Sequence, residues 1–570
     1  MAFVTSSFRV SQSNGSAGLS YLILNVMSET SRVVWADSTA ENIEKNTRQR
    51  EKSVVLVIIL QMYLQFRCTE VQNGLYLCHD MGKQKMYRKG EVIQVTITDS
   101  AFGGKGIAKI KTERGDFTVF VQNTFPGQHV SAQVIKCKNR YAECRLKDII
   151  TPSLDEIQTP YQTIPGAPYA SFPIEIQHKY KEETAINLFE RIGGISNAKE
   201  IYQGIVSSPS VWHYRNKMEY SFSEIRHDLD SGEKMDDFGL GFKHRGTWWA
   251  VENLDRDSGL FDKQIEDDIY KVREWCEKTG LPAWHPPQRK GFFRFFVIRR
   301  SEASNEILIN LVTTSGGEGK FIASEFTEFI LGLWGDRVAG ILHTINDDIG
   351  ERVEAREGSS ALIFGQDRIT EVLHGLQFDI SLSSFFQTNP LSAERLYSEV
   401  ISMAIEKGMG GKDDVVLDLF CGTGTISQLL AQHHDGQIIG VDIVETAIED
   451  ARISAERNGS KNTTFFAADV GKFLLEYPEY KGCIRTLVMD PPRAGISPKT
   501  LRKVIRLQAD RMVYVSCNPA TQARDMATLA ENGYKLVQFK LVDQFPHTAH
   551  VESVALFERI PGFIPIIDMK

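Results

Sequence analysis

Five apolar runs in the last third of the chain set its fold: Val415-Val416-Leu417-Asp418-Leu419-Phe420, Ile438-Ile439-Gly440-Val441-Asp442, Phe465-Phe466-Ala467-Ala468-Asp469, Thr486-Leu487-Val488-Met489-Asp490 and Val513-Tyr514-Val515-Ser516-Cys517. Each is short, rich in β-branched or aromatic residues, and carries a polar side chain at or near its end, and helical stretches separate them. Parallel strands need crossovers of this kind, so the alternation predicts a parallel, doubly wound α/β sheet. In such sheets ligands gather at the carboxyl ends of the strands, where these polar residues fall.

The first run continues into a glycine turn, Cys421-Gly422-Thr423-Gly424-Thr425, and then into a helix from Ile426 to Gln432. Glycines let the backbone approach a ligand, and the helix offers free N–H groups. The turn lacks the third glycine of a dinucleotide fingerprint. Asp442, ending the second strand, is suited to ribose hydroxyls. A nicotinamide-binding domain would explain these two units, but not Asp490-Pro491-Pro492-Arg493 or Ser516-Cys517-Asn518-Pro519. The combination of Asp418-x-Phe420-x-Gly422-x-Gly424, a later acid and Asp-Pro-Pro resembles an S-adenosylmethionine-dependent methyltransferase with a Rossmann-like domain.

A length of 570 residues allows two to four domains. The eight cysteines lack metal-ligand spacing, so no metal centre or disulfide framework is expected and a cytoplasmic location fits. A net charge of −8 excludes a chain that is basic throughout. RNA would therefore meet local basic surfaces. One such surface is expected in residues 86–149, where five short alternating strands surround the turn Phe102-Gly103-Gly104-Lys105-Gly106 and suggest a small OB-type barrel. Between Gly82 and Asp148 thirteen Lys/Arg face six Asp/Glu, which favours phosphate.

Residues 1–80 read poorly as structure. The run Val54–Leu60 is too short to span a bilayer, and the expectation is a spurious or disordered extension with translation starting at Met81 or Met86. Residues 150–375 read as an α+β central domain, opened by a Pro/Thr/Ser-rich linker and a helix from Pro173 to Ile192. Its segments Val211–Phe222, Gly239–Gly246 and Gly291–Arg300 interleave aromatics with Arg and Lys, a pattern suited to looped RNA. Residues 376–570 form the methyltransferase domain.

Four motifs stand in order: Ser384-Phe385-Phe386-Gln387-Thr388-Asn389, Asp418–Gly424, Asp490–Arg493 and Ser516–Pro519, followed by Val551-Glu552-Ser553-Val554. Together they resemble the RNA uracil-5-methyltransferase family, in particular its TRAM-bearing branch acting on 23S ribosomal RNA, over residues 86 to 560. The resemblance implies that Gln387, Phe420, Thr425, Asp442, Asp469 and Asp490 line an S-adenosyl-L-methionine pocket, that Cys517 is the nucleophile and that Glu552 is the general base. Thr425 stands where Asn is common, and Asp442 where Glu is common; both keep a polar function. Many relatives carry closely spaced cysteines after the barrel for an iron–sulfur cluster, whereas residues 149–195 contain none. Cys137 and Cys144 cannot supply four thiolates, so no cluster is expected.

The chemistry accounts for these residue types. C5 of uracil is a poor nucleophile; a thiolate adding at C6 makes an enolate whose C5 accepts the methyl, and a base then removes the C5 proton. The target must leave its stack. A cytosine-5 methyltransferase would carry a cysteine after the fourth strand, where this chain has Pro491-Pro492. Transfer RNA as substrate and a non-catalytic RNA-binding or assembly factor on the same fold are the remaining alternatives. A cytoplasmic monomer with RNA as partner and no membrane contact is expected.

Overall fold

The computed structural model describes residues 86–568 apart from 113–114, 318, 354–357, 407 and 481; the expectation for residues 1–80 lies outside the described residues. The edge strands of the first sheet, Val92–Thr96 and Asp99–Ala101, are two residues apart in the chain, yet four strands lie between them in the sheet. The sheet must therefore curl back on itself as a barrel. Those four strands are His129–Cys137, Tyr141–Thr151, Gly115–Gln122 and Lys105–Thr112. Alternate residues such as Val119, Val121, Val130, Ala132 and Ala142 fill the interior. Gly106 is needed there, since a Cβ would meet Thr124 Oγ1 at 2.2 Å. The five foreseen strands are all present; the sixth, Asp99–Ala101, is too short and polar to leave a pattern.

The central region holds a seven-stranded sheet in the order Val251–Asn253, Lys234–Lys243, Lys217–His227, Phe293–Arg300, Ile307–Thr313, Val338–Ile345, Ser359–Gly365. Helices Lys263–Lys278 and Ala323–Trp334 contribute Ile265, Ile269, Val272, Phe326 and Ile330 to its core. The strand Phe293–Arg300 is central and buried, which corrects its reading as an RNA-facing segment. Arg294 and Arg299 are only 1% and 2% exposed. Loop groups accept from their outer nitrogens: Arg294 Nη1 donates to the carbonyl and side-chain oxygens of Asn346, and Arg299 Nη1 to the Ser384 carbonyl at 2.8 Å. Buried guanidinium groups need such acceptors.

The third sheet carries the cleft. Its eight strands run in the order Thr463–Ala467, Ile438–Asp442, Val415–Leu419, Ile484–Met489, Arg511–Ser516, Glu552–Arg559, Tyr534–Val542, Tyr202–Val206. The first five are parallel to one another, as the strand–helix alternation predicts; Glu552–Arg559 is antiparallel to its neighbours on both sides. Both faces are covered. Val513 and Val515 pack with Leu396, Val400, Leu429 and Leu430 of helices Pro390–Ile405 and Thr425–Ala431. Met512 and Tyr514 point the other way, among Leu501, Val504, Met526 and Leu529 of helices Pro498–Arg506 and Pro519–Glu531. Burial on both sides explains why these strands read as continuous apolar runs rather than alternating ones. The edge strand Tyr202–Val206 comes from the stretch 150–375 and pairs in parallel with Tyr534–Val542. No described helix is long and apolar enough to cross a membrane.

Candidate active site

Cys517 lies one residue beyond the strand Arg511–Ser516, and Glu552 is the first residue of the strand beside it. The two strands are antiparallel with Ser516 opposite Ser553. Continuing that register by one step sets Cys517 opposite Glu552, at the open carboxyl edge of the sheet. Directly opposed residues point to the same face, with Cβ atoms roughly 5 Å apart. The charge of Glu552 accordingly acts on the thiol. Proline at 519 starts the helix Pro519–Glu531, whose N-cap Asn518 accepts from the Ala520 N–H at 3.2 Å. Ser516 Oγ accepts from the Asn518 N–H at 3.1 Å and donates to the Asn518 carbonyl at 3.2 Å, which fixes the turn that presents the thiol.

Acidic groups converge here. Glu552 is 3% exposed, and burial, reinforced by Asp490, pushes its carboxyl up to about 8; Arg493 pulls the other way. Burial likewise raises Asp490 to about 7. Cys517 is pushed up to about 11 by burial, then by Glu552 and Asp490, while Arg493 lowers it. Arg493 is exposed, and its carbonyl accepts from Asn518 Nδ2 at 2.9 Å, tying the Asp-Pro-Pro-Arg loop to the cysteine turn. The positive end of the helix after Asn518 adds to Arg493 in favouring the thiolate.

The glycine turn lies along the same edge. Phe420 adopts φ 65°, Gly422 φ 54° and Gly424 φ 73°. A Cβ on Gly424 would strike the Phe465 ring at 2.6 Å, so the helix Thr425–Ala431 sits close against its neighbour. Asp442 closes the turn: Oδ2 accepts from the Gly422 N–H at 3.0 Å and Oδ1 from the Val444 N–H at 2.9 Å. Asp469 is exposed and caps the helix Val470–Glu476 by accepting from the Lys472 N–H at 2.9 Å. Thr425 is buried at the first turn of its helix. Gln387 is half-buried; its Oε1 accepts from Gln544 Nε2 at 3.5 Å.

S-Adenosylmethionine carries a sulfonium and an ammonium group, and the carboxyls along this edge suit such cations. Asp418 is fully buried: Ser427 Oγ donates to its Oδ2 at 2.6 Å, while its Oδ1 has no partner among the described residues. Burial, Asp490 and Asp442 push Asp418 up to about 7 against the Ser427 hydrogen bond. A cluster of carboxyls held above their usual range, with one orphaned oxygen, fits a cationic ligand. The surrounding glycines leave the backbone open to it.

Several participants were not singled out from sequence. Tyr397, on the helix Pro390–Ile405, is nearly buried and senses Asp490, Glu552 and Asp418, and it interacts with Gln387. Its place follows from how that helix packs on the sheet. The loop Asp543–Val551 leading into Glu552 is clamped from several sides. Lys181 Nζ and His178 Nε2 meet Asp543 at 2.6 and 2.9 Å. Gln177 brackets His547, donating to Nδ1 at 3.1 Å and accepting from its N–H at 2.8 Å. The His547 ring stacks on Trp212 at 3.5 Å, and Tyr214 donates to the Pro546 carbonyl at 3.0 Å. Gln544 Nε2 donates to the Asn389 carbonyl at 2.9 Å, linking the loop to the Gln387 segment.

Residues 334–560 match the tRNA (Uracil-5-)-methyltransferase family and residues 87–147 the TRAM domain. The chain is similar to an uncharacterized RNA methyltransferase of Clostridium acetobutylicum, 36% identical over 83% of this chain and 99% of that protein. It is also similar to one of Chlorobaculum tepidum, 35% identical over 83% of this chain and 97% of that protein. Among solved structures, the Pyrococcus abyssi tRNA (uracil-54, C5)-methyltransferase in complex with S-adenosyl-L-homocysteine shares the fold, with a TM-score of 0.58 at 24% identity over 82% of this chain and 100% of that one. With this coverage, and with the cleft built from the motifs that define it, the chain belongs to the RNA uracil-5-methyltransferase family of S-adenosylmethionine-dependent enzymes, in a form bearing a TRAM barrel.

Proposed function

We propose that this enzyme methylates C5 of an unpaired uridine in 23S ribosomal RNA through a transient bond between Cys517 and C6 of the ring. The observation that carries this reading is the facing pair Cys517 and Glu552 at the carboxyl edge of the sheet. Gln387, Phe420, Thr425, Asp442, Asp469 and Asp490 would hold S-adenosylmethionine, which when bound supplies an electrophilic methyl to C5. Cys517, only partly buried, first loses its thiol proton to solvent, and its sulfur forms the bond to C6 while the C5–C6 π electrons move towards O4. Arg493 stabilises the sulfur anion before attack and is positioned by its link to Asn518. After C5 is methylated, Glu552 takes the C5 proton; the C6–S pair returns to Cys517 and the ring double bond reforms.

Phe385, 77% exposed and two residues before Gln387, is suited to stack on a nucleotide flanking the extruded uridine. The basic balance of the barrel supports contact with an extended RNA. Cys137 and Cys144 point into the barrel core, which supports work without an iron–sulfur cluster. Transfer RNA is the second reading, favoured by the names of the matching family and of the Pyrococcus abyssi protein.

RNA carrying 5-fluorouridine tests the reading, because fluorine blocks proton removal. The full chain should form a donor-dependent covalent adduct, and Cys517→Ala should form none. A folded, donor-binding enzyme that forms no adduct would refute the covalent route. Nucleoside analysis of separated ribosomal and transfer RNA from a deletion strain decides the substrate: 5-methyluridine should vanish from the ribosomal fraction.

A further inference from the structure

A second cluster of reactive side chains lies in the central sheet, outside the cleft. His227 ends the strand Lys217–His227, His244 follows Lys234–Lys243, and Glu252 is the middle residue of Val251–Asn253. These strands pair with one another, Val251 opposing both Lys243 and Arg226. One ligand atom from each of the three side chains lies within 4.8 Å of the others. His244 Nδ1 and Glu252 Oε1 are 2.6 Å apart, and the two imidazole rings are 3.7 Å apart between centroids. His227 Nδ1 is buried and has no hydrogen-bond partner among the described residues.

We propose that His227, His244 and Glu252 bind a divalent transition metal, zinc foremost, which fastens the loop 244–250 against the barrel. Two imidazoles and a carboxylate suit zinc, with water in the fourth position. Tetrahedral bonds of about 2.1 Å separate ligand atoms by roughly 3.4 Å. The cluster reaches that spacing by small side-chain rotations, with the His244–Glu252 hydrogen bond opening. The nearby cations make their hydrogen-bond and ring contacts elsewhere. Lys234 Nζ sits over the Trp249 ring at 4.1 Å, and Arg245 Nη2 donates to the Pro165 carbonyl at 3.5 Å.

The fastened loop has a reason to be held. It carries Trp248, 54% exposed, and Gly246, where an added Cβ would come within 3.1 Å of Arg145 of the barrel. A metal at its base would set the relation between the exposed aromatic and the basic barrel face.

The test uses the full chain, freed of metal with a chelator and titrated with zinc and with cobalt(II). One equivalent should bind tightly, and cobalt should give visible ligand-field absorption without thiolate charge transfer, which sets Cys483 and Cys517 aside. His227→Ala and Glu252→Gln should each weaken binding at least about a hundredfold, a ligand loss being no milder than an outer-shell one. Glu252→Gln keeps the shape and a hydrogen bond to His244, so it carries the test should His227→Ala unfold. Tight binding unchanged in Glu252→Gln, or no stoichiometric uptake by the unmodified chain, would overturn the site.

Discussion

Cys517 and Glu552 face each other one step beyond the paired Ser516 and Ser553 of two antiparallel strands, so the proposed nucleophile and the proposed base share one rigid ladder. Their separate replacement should split the reaction. Cys517→Ala should reduce methylation to background. Glu552→Gln should slow turnover by about 10²–10⁴-fold while a covalent complex with ordinary uridine RNA accumulates. Denaturing gels of enzyme with labelled RNA distinguish the two.

The pH profile follows from burial. In the RNA-free protein the thiol sits at about 11 and Glu552 at about 8, so both are protonated at pH 7. Adduct formation and its resolution should therefore quicken as pH rises from 6 to 9. Arg493 is the cation that lowers both groups, so Arg493→Ala should move the rising limb to higher pH. Single-turnover rates across that range provide the measurement.

Glu552 also links pH to stability. Its carboxyl titrates at 4.5 in the ordinary state and at about 8 in the fold, so the folded protein binds more protons between those values. This group favours folding fully below 4.5, and that contribution is lost as pH rises through 8, at most about 5 kcal/mol by linkage. Glu552→Gln should raise the melting temperature at pH 8.5 and leave it nearly unchanged at pH 4.5. Thermal scans at both pH values check the sign.

Lys181 and Asp543 form a buried ion pair at 2.6 Å that anchors the loop before Glu552. Removing the lysine leaves the buried Asp543 with His178 as its remaining partner, so Lys181→Met should cost up to about 3–5 kcal/mol in urea unfolding. Turnover should fall as well, because Glu552 loses its support; adding Asp543→Leu should recover much of the stability and less of the turnover.

Phe385 offers a different readout. Phe385→Ala should weaken RNA binding by about 1–3 kcal/mol and leave binding of the methyl donor unchanged. Filter binding and calorimetry separate the two.

The placement of the candidate residues was legible in the sequence where they fall at the ends of apolar runs: Asp442, Asp490 and Cys517 lie along one edge because a parallel sheet aligns its carboxyl ends. The meeting of Cys517 with Glu552 was not legible, since antiparallel register across intervening helix and loop leaves no local mark. Tyr397 escaped notice because only helix packing brings it to the carboxyls. Arg294 and Arg299 misled in the opposite direction: beside aromatics they resemble a nucleic-acid face, but loop carbonyls hold them inside the central core. Tyr202–Val206, five residues around a glycine, carries too little pattern to announce a strand.

That edge strand has a bearing on synthesis. Tyr202–Val206 leaves the ribosome long before Tyr534–Val542, with about 330 residues between Val206 and Tyr534. At usual translation speeds its backbone waits between about 15 and 65 s for its partner. A nascent chain of this enzyme thus holds an unmated β-segment through most of elongation, and stalling late in the message would leave it open to pairing with neighbouring polypeptides.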